Sequence, residues 1–225
     1  MGSVLIVGAS RGIGFEFARQ YRAEGWTVHA TVRSPSDRAA LEALGAQVHR
    51  FDALDEAGVS ALDEQLGEAS FDLVIVNAGV IGSRESSMTH PPEADEFARV
   101  MTINVFAPMR LVPSLAARLA AAGGTLAFLS SRMGSIGEAG ATYASTYRVS
   151  KAALNMAIRL AHIEFGARGV RMLALHPGWV RTDMGGKNAD LDVTTSVNGM
   201  RAVIADPKAH PSGTFIDHTG TPVAW

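Results

Sequence analysis

Ser3-Val4-Leu5-Ile6-Val7-Gly8-Ala9-Ser10-Arg11-Gly12-Ile13-Gly14 decides the fold of this 225-residue chain. Residues 3–7 form a short, uninterrupted apolar run of the kind found in parallel strands buried on both faces. Glycines follow at G-x-x-x-G-x-G spacing and lead straight into an amphipathic helix expected over residues 15–24. At a strand-to-helix turn, glycine allows backbone dihedrals that a Cβ forbids and lets the chain approach a ligand closely. The helix N-terminus behind the turn offers unpaired N–H groups and a partial positive charge, which suits a pyrophosphate. In doubly wound α/β folds this first junction is where dinucleotides bind.

The rest of the chain repeats the alternation of strand and helix that builds a parallel sheet covered on both faces. Strands are expected at 27–32, 47–51, 71–76, 125–129, 171–175 and 214–216. Helices are expected around 37–44, 56–66, 94–122, from Tyr147 to about 165, and 195–205. No repeat, low-complexity tract or linker interrupts the pattern, so a single domain over 1–225 is expected. At this length a fold buries about 70% of the surface of the unfolded chain.

Tyr147-Arg148-Val149-Ser150-Lys151 carries the chemistry. Side chains at i and i+4 of a helix point the same way, so a phenol and an ammonium share one face. An ordinary tyrosine has a pKa of about 10, and a neighbouring lysine cation is expected to draw it down toward neutral pH. Such a pair can move a proton on or off an alcohol or carbonyl oxygen. Tyr143 stands one turn upstream but has Tyr147, not a lysine, four residues on.

Four further motifs follow in order. Asn77-Ala78-Gly79 ends the strand closing at Val76, and Asn104 lies in Ile103-Asn104-Val105. Next come Leu129-Ser130-Ser131-Arg132-Met133-Gly134 and His176-Pro177-Gly178-Trp179-Val180-Arg181-Thr182. With the glycine loop and the Tyr147/Lys151 pair, they resemble the short-chain dehydrogenase/reductase family over nearly the whole chain. The beginning, the segment from Ser130 to Ser135 and the ending from Ser212 to Trp225 resemble its small carbonyl-reductase-like branch, which includes C-factor and sniffer.

The resemblance implies a Rossmann fold: one doubly wound, mostly parallel sheet of about seven strands with helices on both faces. It implies hydride transfer between a nicotinamide cofactor and a carbonyl or alcohol, with Asn104, Ser131, Tyr147 and Lys151 as the catalytic set. Ser131 and Tyr147 would bond the substrate oxygen, Lys151 would hold the nicotinamide ribose, and Asn104 would support a water linking the lysine to solvent. Gly8, Ser10, Arg11, Gly12, Ile13, Gly14, Asn77, Ala78, Gly79, Pro177, Gly178, Val180 and Thr182 would contact the cofactor. Asp52 would contact the adenine, although as a residue it could equally cap the next helix. Val7 stands where the family often has threonine. Ser131 and Tyr147 are sixteen positions apart (131 to 147), more than in many relatives, so the extra residues must bulge beside the site.

Charge separates the two nicotinamide dinucleotides. An enzyme of this fold that uses NAD(H) usually ends its second strand with an acid for the ribose 2′-hydroxyl, whereas arginine accommodates a 2′-phosphate. Here the strand ends Ala30-Thr31-Val32-Arg33 with no acid, and Arg11 could reach the same side. Two guanidiniums favour the doubly charged phosphate, and hence NADP(H) over NAD(H).

Composition narrows the partners. A net charge of −2, from 20 basic and 22 acidic residues, gives no basic excess for nucleic acid or anionic membrane. There are no cysteines, so disulfide and thiol chemistry are excluded. No uninterrupted apolar run reaches transmembrane length, and the first strand starts too early for a leader, so a cytoplasmic protein is expected. No metal site is expected. The polar segment 185–192, within about 183–195, is a short substrate lid by resemblance or an ordinary surface loop by composition. Met133, Met184 and Trp179 could line a pocket or fill the core, and His176 is expected to face the strand end. Apolar residues surround much of the helix after Tyr147, and this surplus points to a neighbouring helix or a partner subunit. Long helices commonly make dimer or tetramer contacts in the family, which implies a homo-oligomer. The substrate would be a small carbonyl compound or alcohol. The C-factor resemblance also leaves open an NADP-binding regulatory protein with little turnover.

Overall fold

The computed structural model describes residues 2–119 and 123–225. Seven strands form one sheet: β1 (Ser3–Val7), β2 (Thr27–Val32), β3 (Gln47–Arg50), β4 (Leu73–Val76), β5 (Thr125–Leu129), β6 (Arg171–His176) and β7 (Thr214–Asp217). Their order is β3-β2-β1-β4-β5-β6-β7. Every pairing is parallel, so the expected "mostly parallel" sheet is parallel throughout.

The helices are α1 (Gly12–Ala23), α2 (Arg38–Ala43), α3 (Gly58–Leu66), α4 (Ala94–Met101), α5 (Ala107–Arg118), α6 (Ser145–Phe165) and α7 (Val193–Ala205). A π-helical turn over Thr102–Phe106 joins α4 to α5. The last three residues of the helix expected over 94–122 lie outside the described residues. α1 and α7 start before their expected first residues, and Asp192 caps α7 by accepting from Thr195 N at 2.7 Å. The segment expected over 183–195 therefore becomes helical at Val193.

Successive strand residues point to opposite faces, so each strand feeds two cores. Leu5, Val7, Val74, Val76, Leu126 and Phe128 pack with α3, α5 and α6 residues such as Leu62, Leu111, Leu115 and Leu154. Val4, Ile6, Leu73, Ile75, Leu173 and Leu175 pack with Phe17, Leu41, Val197 and Met200 from α1, α2 and α7. The helical run Ala94–Arg118 is long and apolar enough, by length and composition, to cross a membrane. In this fold Leu111, Val112, Leu115 and Ala116 lie instead in the first core. Each buried side chain of this size contributes about 1.5–3 kcal/mol, which keeps the α5 face on the sheet.

One polar pair is buried within the layers. His29 on β2 and His49 on β3 hydrogen-bond Nδ1 to Nε2 at 2.9 Å, with their rings stacked 5.1 Å apart. Burial lowers both pKa values, that of His49 to about 4. The unfolded chain takes up these protons near pH 6.5, while the folded state resists them. Stability is therefore fully present above the unfolded pKa and is lost as pH falls toward the folded one. We expect the thermal midpoint to fall between about pH 6.5 and 4. A His29→Val/His49→Val variant, which removes both partners together, should show a flatter dependence over that window in calorimetry.

Candidate active site

The sheet order reverses between β1 and β4, and ligands bind such folds at the crevice beyond these strand ends. The glycine loop is held there by backbone and side-chain bonds. Gly8 N donates to Thr31 Oγ1 at 2.9 Å, Ala9 N to Thr31 O at 2.8 Å, and Asn77 Nδ2 to Gly8 O at 2.5 Å. A Cβ on Gly14 would fall 2.2 Å from Gly8 O and 2.7 Å from Asn77 Nδ2, so only glycine lets α1 start this close to the loop. Asn77 is thus a brace of the loop. No side chain caps α1 and no acid occupies its first turn, which leaves its N–H groups and positive end free for an anion. The cradle fits a dinucleotide pyrophosphate.

The other expected cofactor residues flank this cradle. Ser10 in the loop and Ile13 in the first turn of α1 are half-buried, and Arg33 is exposed at the end of β2 with no ion pair among the described residues. Arg11 is paired with Asp183 at 3.0 Å, with both side chains more than 70% exposed. Asp52 does not cap α3; its Oδ1 closes a local turn by accepting from Leu54 N at 3.0 Å. The chain beyond β6 folds back over the glycine loop, so that a Cβ on Gly12 would stand 3.3 Å from Thr182 Cγ2. Pro177 O accepts from Ser196 Oγ at 2.6 Å, and Val180 is buried where it bridges to Leu191.

Asn104 lies in the π turn, fully buried. Its Oδ1 accepts from Val80 N at 2.8 Å, and its Nδ2 donates to Val80 O at 2.8 Å and Ser150 Oγ at 2.9 Å. Ser150 Oγ in turn donates to Tyr147 O at 2.8 Å. A Cβ on Gly79 would lie 3.3 Å from Asn104 Oδ1 and 3.6 Å from Lys151 Nζ, so Gly79, Asn104 and Lys151 converge. Ala78 packs on the first core.

Ser131, Tyr147 and Lys151 also meet here, all buried. Lys151 Nζ donates to Leu129 O at 2.7 Å and stands 5.6 Å from the centre of the Tyr147 ring. Burial pushes the Tyr147 phenol up to about 12, and the nearby Ser131 hydroxyl opposes this only in part. Burial also pulls the Lys151 ammonium down to about 8. This corrects the expectation of a depressed phenol: desolvation outweighs the lysine, whose nitrogen is engaged at Leu129 O.

The motifs did not single out several residues that hold this cluster. Ser130 Oγ donates to Asn155 Oδ1 at 2.5 Å, tying β5 to α6. Asn155 sits four positions after Lys151, a helical spacing that the sequence did contain. Ala144, which precedes α6, is the one non-glycine with positive φ (51°) among the described residues. Its N donates to Arg84 O, and Ser145 N donates to Ser86 O, both at 3.0 Å. His176 has Arg132, Asp217 and His218 as its charged or titratable neighbours, and burial lowers its pKa to about 4. Trp179 is 51% exposed and Met184 is partly exposed, so neither is a core filler.

A family model for short chain dehydrogenases matches residues 3–192. The chain belongs to the short-chain dehydrogenase family. C-signal of Myxococcus xanthus is 41% identical over 155 residues, which cover 68% of this chain and 92% of that protein. A crystal structure of a carbonyl reductase from Pseudomonas aeruginosa PAO1 in complex with NADP is 36% identical, with a TM-score of 0.87 over 100% of both chains. Carbonyl reductase Sniffer of Drosophila melanogaster is 25% identical, with a TM-score of 0.88 over 100% of both chains. The relatives found thus include C-signal and carbonyl reductases, as the motifs anticipated.

Gly134 is a close contact in this short-chain dehydrogenase between the Ser131 turn and α6. A Cβ there would lie 2.6 Å from Lys151 C and Cβ. Gly134→Ala should cost about 1–3 kcal/mol by overpacking. Gly140→Ala, where no atom lies within 4 Å of the added Cβ, should cost little. Urea midpoints of the two variants check this.

Proposed function

We propose that this chain is an NADPH-dependent reductase of ketones, aldehydes or quinones, with Tyr147 as the proton donor. The observation that carries this reading is the buried phenol of Tyr147, close to Ser131 and to Lys151 at the carboxyl end of the sheet. Bound NADPH would supply the hydride. Residues 1–225 act as one dinucleotide-binding unit, with the lid drawn from 183–195.

Gly8, Ser10, Arg11, Gly12, Ile13 and Gly14 would hold the pyrophosphate and its surroundings. Arg33 and Arg11 would take the 2′-phosphate. The ion pair of Arg11 with Asp183 is highly exposed and worth at most about 1 kcal/mol, so a phosphate can recruit the guanidinium. Asp52 would face the adenine. Asn77, Ala78, Gly79, Pro177, Gly178, Val180 and Thr182 would line the remainder, and Lys151 would reach the nicotinamide ribose. The Pseudomonas carbonyl reductase in complex with NADP supports this choice of cofactor.

Ser131 and Tyr147 would donate hydrogen bonds to the substrate oxygen, where negative charge develops. Tyr147 then gives up its proton. A phenol held at about 12 is protonated at neutral pH, which is the form that reduction requires. Asn104 keeps the helix carrying Tyr147 and Lys151 in register with the Asn77–Ala78–Gly79 loop. Met156, Leu160 and Ile163 on α6, with Met109 on α5 and Phe106 just before it, leave exposed apolar surface that a second copy would cover in a homodimer or homotetramer. The identity to C-signal favours one alternative, an NADP-binding regulatory protein with little turnover.

Titration with NADPH and NADH, followed by carbonyl turnover, tests the reading. Arg33→Ala/Arg11→Ala should weaken NADPH by more than about tenfold and leave NADH nearly unchanged. Tyr147→Phe should retain NADPH binding and lose at least about 100-fold in kcat. Failure of the wild type to bind either cofactor would overturn the reductase, and binding without turnover would favour the regulatory alternative.

The pH dependence has a definite sign. Carbonyl reduction needs the phenol and should hold steady across neutral pH. Alcohol oxidation needs the phenolate and should rise with pH into the alkaline range. Initial rates in the two directions, between pH 6 and about 10, check this.

A further inference from the structure

Residues 135–143 separate the Ser131 turn from α6 and form neither helix nor strand. Bonds within the segment are few: Glu138 N donates to Ser135 Oγ at 3.1 Å, and Ala139 N to Ile136 O at 3.4 Å. The far end of the chain supplies three more. Ile136 N and Gly137 N both donate to the backbone oxygen of Trp225 at 3.2 Å. Ala224 N donates to Glu138 Oε1 at 3.2 Å.

The segment that reaches them is turned back by Asp217. Its Oδ1 accepts from Thr219 N at 2.9 Å, Thr219 Oγ1 at 2.6 Å and Thr221 N at 3.0 Å. Its Oδ2 accepts from Arg132 Nη2 at 3.1 Å. Arg132 follows Ser131 directly, and its Nε faces Glu138 Oε2 at 3.3 Å. One guanidinium thus joins a carboxylate under the returning turn to a carboxylate on the exposed wall, and residues 224–225 close the ring. The Phe215 and Trp225 rings, 5.6 Å apart, anchor the end of the segment to β7.

The wall presents Ile136, 77% exposed, and Met133 lies in the turn next to Ser131. The loop beyond β6 separately exposes Trp179 and Met184. A large exposed apolar side chain on the segment that follows Ser131 suits an apolar ligand better than a charged one. The charges built into this wall, Arg132 and Glu138, are paired with each other.

We propose that residues 217–225 are a strap that fixes the 135–143 wall and thereby selects bulky, uncharged, apolar carbonyl substrates, with Arg132, Glu138 and Asp217 as positioning residues. The selectivity claim rests on the reductase reading; the strap itself does not.

The test compares wild type, Glu138→Ala and Glu138→Gln. Glutamine keeps an acceptor for Ala224 N but removes the charge facing Arg132. Amide exchange is followed without substrate, and KM and kcat are measured with NADPH for phenanthrenequinone and for propanal. Glu138→Ala should speed exchange at Ile136, Gly137 and Ala224 while leaving α6 unchanged. It should raise KM for the fused-ring diketone by about fivefold, with kcat and the propanal KM within about twofold. Glu138→Gln should recover protection at Ala224 and part of the KM. Unchanged exchange in Glu138→Ala would overturn the strap. Equal KM changes for both substrates, or a shared fall in kcat, would overturn the selection. If the wild type reduces neither carbonyl, the reductase reading fails and takes selectivity with it, while the exchange measurement still decides the strap.

Discussion

A buried carboxamide holds the site together. Asn104 is completely enclosed, and its three hydrogen bonds join the loop beyond β4 to the helix that carries Tyr147 and Lys151. A polar group in such a place is tolerated only when its partners are fixed, because each unsatisfied bond costs about 1–3 kcal/mol. That requirement acts in both directions: it fixes Asn104, and it fixes Val80 and Ser150 relative to one another. The π turn around Asn104 is the local irregularity that accompanies this placement, and wide turns within helices are frequent at functional sites.

The fold was legible because a parallel sheet covered on both faces leaves a strong mark. The strands 27–32 and 125–129 coincide with their expected limits, since both are short runs rich in β-branched and apolar residues between helices. Helix starts were less legible. α7 begins at Val193 through an Asp192 cap that a hydrophobic pattern does not reveal. The meeting of Ser131, Tyr147 and Lys151 followed from motif order, while the electrostatics did not. Helical spacing places an ammonium near a phenol, but the degree of desolvation and the capture of Lys151 Nζ by Leu129 O are tertiary facts. The requirement for Gly134 was likewise invisible, because it reflects the approach of two segments that the sequence only orders.

The charged groups divide into two classes by solvent exposure. Arg11 and Asp183 meet in water, where the pair is weak and exchangeable, which suits the role proposed for Arg11 as a phosphate ligand. Asp217 is buried, and its oxygens are occupied by the turn it closes and by Arg132. Loss of Arg132 would leave the Asp217 carboxylate, only 10% exposed, with one fewer partner.

This division separates chemistry from recognition. The Tyr147 phenol, proposed above as the proton donor, rises from a long helix clamped by Asn104, Ser150 and Asn155, all buried and none on an exposed loop. The apolar wall hangs on a segment with little structure of its own, oriented by contacts from the opposite end of the chain. Side-chain changes at Ile136, Trp179 or Met184 can therefore reshape the mouth without loading strain onto Tyr147. A change at Gly134 cannot, because it is the point where the wall's base presses on the backbone of Lys151.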